Sequence, residues 1–84
     1  MKLYEARALK LWTGQMLASA SRVSRATIYG IENGRTRPTF DTMRKLAGAL
    51  GVEPLEIDEF RAEIERLSEE QRDENNPKLP VRIS

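Results

Sequence analysis

The sequence predicts an all-α chain, a compact five-helix bundle whose last helix is extended at the C-terminus. Three observations predict it. The 84 residues leave room for one domain with a modest core of a few helices. Apolar residues recur at intervals of three and four along most of the chain, the period of a helix with one buried face. Residues that start and stop helices fall between these stripes: Thr13, Ser24 and Thr39 as N-caps, Asn33-Gly34 and Gly51 as terminators.

The elements follow in order. Leu3, Ala6 and Leu9, with Trp12 as a further candidate, recur at helical spacing, so residues 2–11 form a first helix. Thr13 caps a short second helix over residues 14–21 that buries Leu17 and Ala18. Ser24 caps a third, running to Glu32, which turns Ile28 and Ile31 inward with Val23. Pro38 and Thr39 open a fourth helix with Phe40, Met43, Leu46, Ala47 and Leu50 on one side, stopped by Gly51 in a left-handed conformation. Pro54 starts the fifth. Its stripe of Ile57, Phe60, Ile64 and Leu67 continues the helix to about Arg72, and Asn75-Asn76-Pro77 ends it. The domain expected is residues 1–58, followed by an amphipathic acidic helix over 59–74 and a flexible or extended tail over 75–84.

Composition narrows the function. Hydrophobic residues make up 39% of the chain and charged residues 32%, which places it among folded globular proteins. There is no cysteine and no histidine, so thiol chemistry, the common zinc sites and most nucleophile-base pairs are unavailable. No constellation supports an enzyme, and no cofactor is expected. The apolar runs are far shorter than the roughly 20 residues of a membrane helix, and the N-terminus lacks a signal peptide's pattern, so the expected setting is cytoplasmic. The net charge of +1 hides an asymmetry: residues 1–52 hold nine basic and three acidic residues, residues 53–84 five basic and ten acidic. A basic half suits a polyanion, and an acidic half suits solvent or a protein partner.

Two short helices joined by a tight turn, the second capped and polar on one face, are the layout of a helix-turn-helix unit. The outward face of the third helix holds Arg25, Ala26, Tyr29, Gly30 and Asn33. Arginine can donate two hydrogen bonds to guanine, alanine can touch a thymine methyl, and tyrosine can reach a base edge or a phosphate, so Arg25, Ala26 and Tyr29 are the expected base contacts. Gly30 reads nothing through a side chain. Gln15, Ser24, Thr27, Asn33, Arg35, Thr36 and Arg37 surround this face and suit phosphate oxygens.

The segments Leu17-Ala18, Val23-Ser24-Arg25-Ala26-Thr27-Ile28, Ile31-Glu32-Asn33-Gly34, Pro38, Leu46-Ala47 and Ala49-Leu50-Gly51-Val52 together resemble the phage-repressor and Cro-like helix-turn-helix family over residues 3–58. The resemblance implies a five-helix bundle that binds operator DNA, usually as a dimer across a two-fold site, in bacteria or their phages. It also implies an ion pair between Arg7 and Glu32. The chain departs from the family pattern at four positions. Gly14 stands where a phosphate-binding glutamine commonly starts the second helix, Leu11 and Arg22 stand where glycines are usual, and Gly30 replaces a longer side chain.

The expected function is therefore a sequence-specific regulator of transcription on double-stranded DNA, most simply a repressor. The alternative is an antitoxin-type or other interaction module that uses the acidic C-terminal helix and tail. The stripe Ile57, Phe60, Ile64, Leu67 is expected to make the homodimer or partner contact, because a helix projecting past the bundle would otherwise expose a contiguous apolar patch.

Overall fold

The computed structural model describes residues 1–75, with side chains through Glu69. The fold consists of α1 (Leu3–Leu9), α2 (Gly14–Ser21), α3 (Arg25–Glu32), α4 (Phe40–Leu50), a 3₁₀ turn (Pro54–Glu56) and α5 (Asp58–Asn75), with no strand among the described residues. The expected tail, apart from Asn75 at the end of α5, lies outside the described residues.

Local chemistry sets most boundaries. The hydroxyls of Thr13, Ser24 and Thr39 each accept a hydrogen bond from the backbone N–H three residues on, at 3.1 Å, satisfying a donor that a helix N-terminus leaves orphaned. Gly51 ends α4 at φ 73°, and its N–H donates to the carbonyl of Ala47. The second short helix also ends in the left-handed region, at Arg22 with φ 64°, and Leu11 after α1 has φ 60°. These are the two positions at which the family resemblance led us to expect glycine. An L-residue pays about 1 kcal/mol in this conformation because its Cβ crowds the following carbonyl. Leu11→Gly and Arg22→Gly should each raise stability by up to about 1 kcal/mol, seen as a rise of a few degrees in thermal midpoint.

The core is one cluster: Leu3 and Ala6 of α1, Leu17 of α2, Val23, Ile28 and Ile31 around α3, Met43, Leu46, Ala47 and Leu50 of α4, then Ile57 and Phe60. Leu9 is not part of it and is 77% exposed. Residues three apart drift about 60° around a helix, so Leu9 has rotated about 120° from Leu3, and α1 ends before another turn can correct this. Trp12, which follows the reversal at Leu11, packs against the cluster instead. Phe40 also departs from expectation: as the first residue of α4 it sits at the rim, half exposed, lining a groove with Met43, Arg44, Pro54 and Ile64.

The start of α5 differs most from the sequence reading. Pro54 opens only a single 3₁₀ turn, Ile57 takes an extended conformation, and the long helix begins at Asp58. Ile57 and Phe60 are fully buried in the chain's own core, so neither is a dimer or partner contact. The packed unit therefore runs past the boundary expected at residue 58. Ile64 is half-buried against the core, and Leu67 is half-buried.

The two ends of the core sequence are also tied by polar groups. The backbone N–H of Leu3 donates to the Glu59 carboxylate at 2.9 Å, and that of Asp58 donates to the Met1 carbonyl at 2.7 Å. The Met1 amino group donates to Asp58 at 3.1 Å and holds this carboxyl below its ordinary range. Glu63, buried on α5, is likewise held low, chiefly by hydrogen bonds from Arg66.

Candidate nucleic-acid interface

The turn between α2 and α3 spans only Arg22, Val23 and Ser24. Ser21, buried, turns its hydroxyl to the N–H of Val23 at 3.2 Å, while Val23 anchors the turn in the core. This presents one face of α3 outward. Arg25, Ala26 and Tyr29 are exposed on it, whereas Ile28 and Ile31 are buried behind it. The guanidinium of Arg25 forms no ion pair among the described residues.

Tyr29 has a specific seat. A Cβ built on Gly14 would collide with the Tyr29 hydroxyl and ring, with Cζ at 2.5 Å and Cε1 at 2.7 Å. The ring therefore lies directly on the first residue of α2, in space that any larger residue would fill. At the position where the resemblance implies a glutamine, this chain places the Tyr29 ring between the two helices. Tyr29 remains 39% exposed, at the edge of the face toward α2.

Ser24 and Thr27 are engaged with each other as well as with the cap: the Ser24 hydroxyl donates to Thr27 Oγ1 at 2.8 Å. Gln15 is exposed in the first turn of α2, and Asn33 is exposed at the end of α3. After Gly34, at φ 77°, the chain folds back so that the N–H groups of Arg35 and Thr36 both donate to the carbonyl of Gly30, at 2.8 and 3.1 Å. Arg35 is thus held beside α3 and, like Arg25, has no ion pair among the described residues. Arg37 is also exposed but lines a groove shared with Glu59, Glu63 and Arg66 of α5, so part of its field is spent on carboxylates. Arg44 and Lys45 on α4 pair with Asp41.

Behind the face, Arg7 of α1 grips Glu32 at the end of α3. Nε and Nη2 each donate to one carboxylate oxygen at 3.0 Å, and Nη1 donates to the Trp12 carbonyl at 3.3 Å. The Glu32 hydrogen bond raises the Arg7 pKa still further, so the guanidinium keeps its charge. Its position ties α3 to α1 at the end opposite the Ser24 cap.

This geometry, two short helices at a three-residue turn with an exposed polar face on the second, has a counterpart among known families. A helix-turn-helix family model matches residues 3–57. The chain belongs to the Cro/repressor-like helix-turn-helix family. Members of this family are DNA-binding regulators, and a DNA partner follows from membership. Neither the curated proteins nor the solved structures contain a match to the chain. Among the described residues, no helix is long and apolar enough to cross a membrane.

Three features of the interface escaped the sequence reading. Gly14 and Gly30 looked like missing contacts, but each is a socket for another residue's side chain. Glu59 looked like part of a solvated acidic face, yet it caps α1. No periodicity signals such roles, because they depend on approaches between segments distant in the chain.

Proposed function

We propose that the protein is a transcriptional repressor that occupies a duplex operator, with α3 in the major groove, Arg25 and Ala26 against base edges, and Arg35 on a phosphate. The observation that carries this reading is the pairing of an unpartnered Arg25 on the outer face of α3 with a loop whose backbone hydrogen bonds hold Arg35 beside the same face. Gln15, Ser24, Thr27, Asn33 and Arg37 complete the phosphate contacts. Tyr29, pinned on Gly14, sets the angle of α3 against α2 rather than reading a base.

Two copies would place two recognition helices about 34 Å apart on one face of the DNA. The surface that suits this pairing is the groove of Phe40, Met43, Arg44, Pro54 and Ile64, now that Ile57 and Phe60 are assigned to the core. The acidic outer face of α5 remains the feature that favours a protein partner of the antitoxin type.

Titrating wild type and Arg35→Ala against one short duplex at several salt concentrations tests the phosphate assignment. Affinity of the wild type should fall steeply with salt, as for about six neutralised phosphates, and the variant's slope should be shallower by about one phosphate's share. Equal slopes would remove Arg35 from the interface.

A further inference from the structure

Gly30 lies on the outer face of α3 one turn beyond Ala26, where a side chain would be expected to face the groove. The position is not empty. A Cβ built there would collide with the Thr36 hydroxyl, with Thr36 Cβ at 3.0 Å. Thr36 is held over this spot by its own N–H, which donates to the Gly30 carbonyl at 3.1 Å, and by the neighbouring Arg35 N–H on the same oxygen. Its side chain is exposed, and its hydroxyl makes no hydrogen bond among the described residues.

We propose that Thr36 is a specificity-determining residue, a base reader supplied by the loop in place of the side chain that α3 lacks at Gly30. The reading surface then runs from Arg25 through Ala26 to Thr36. A threonine hydroxyl can donate to or accept from a base edge, and its methyl can pack on a thymine methyl, so Thr36 meets the base pair next along the groove from the one Ala26 faces. A residue on a freely moving loop would read poorly. The two backbone hydrogen bonds to Gly30 hold this one to the helix it completes. The inference rests on the DNA-binding reading above and differs from the phosphate role that the sequence alone suggested for Thr36.

The test is selection of bound sequences from a pool of random duplex DNA by the full chain, using wild type, Thr36→Val, Thr36→Ser and Gly30→Ala. Thermal melts run in parallel show that each variant is folded. Thr36→Val keeps shape and methyl but loses the hydroxyl; it should weaken the preference at one base pair per half-site by roughly threefold to tenfold and leave the positions read by Arg25 unchanged. Thr36→Ser should keep the preference for hydrogen bonding there. Gly30→Ala, which pushes an intact Thr36 away, should disturb the same base pair. Affinity lost equally on all sequences would make Thr36 a phosphate contact and overturn the proposal, as would unchanged preferences in Thr36→Val. If wild type itself enriches no sequence, the sequence-specific reading on which this proposal rests fails with it, an outcome distinct from either of these.

Discussion

Phe60→Ala should destabilise the protein by about 4 kcal/mol, a large share of the total stability of a domain this small, and the loss should not depend on protein concentration. Phe60 is the largest of the fully buried side chains among the described residues and joins α5 to the cluster built by α1, α2, α3 and α4. Truncating it removes most of a ring from close-packed surroundings and leaves a cavity that the neighbouring helices can only partly close. Urea denaturation at two protein concentrations separates this from a dimer role. An interface residue would lose stability only through association and would show a shift between the concentrations. For the same reason, deletion after Ile57 cannot serve as a clean probe of the acidic helix, because it removes Phe60 and the Glu59 cap on α1 together.

Arg7→Ala should cost about 3 kcal/mol and Glu32→Ala a similar amount, whereas replacing both with methionine should recover most of the loss. The asymmetry comes from burial. The side chain of Glu32 is only 9% exposed and that of Arg7 19%, so removing either leaves a partly buried charge without its counter-charge, while removing both leaves none. Arg7→Lys should rescue poorly, since a single ammonium cannot reproduce two parallel hydrogen bonds and a third to the Trp12 carbonyl. A double-mutant cycle in urea measures this coupling directly. Additive losses would show that the pair is a passive surface contact.

Much of this fold is legible from single residues. Thr13, Ser24 and Thr39 mark three helix starts because a hydroxyl that satisfies an orphaned N–H is a local effect, independent of the rest of the chain. Gly51 marks a stop for an equally local reason, and Arg22 and Leu11 show where the backbone turns left-handed once the family resemblance places glycines there. Other positions depend on tertiary geometry. The stripe from Ile57 to Leu67 has the right period for burial, but periodicity does not say against what; Ile57 and Phe60 went to the chain's own core, while Ile64 and Leu67 stay half-buried. Leu9 misled because repeated spacing of three drifts around a helix, and Pro54 because it is equally at home at the start of a 3₁₀ turn.

The candidate site divides in the same way. Arg25 and Ala26 follow from the helical period and the cap at Ser24, so their outward direction was readable. The sockets at Gly14 and Gly30 were not, since an unoccupied Cβ position acquires meaning only when Tyr29 or Thr36 is seen lying in it.

The central claim, that α3 reads base sequence through Arg25, is tested most directly by selecting from random duplex DNA at near-physiological salt with wild type and Arg25→Ala side by side. An inverted-repeat motif enriched by the wild type, with one position in each half-site lost in the variant, is the predicted result. The same motif recovered unchanged by Arg25→Ala, or no enrichment by the wild type, would contradict it.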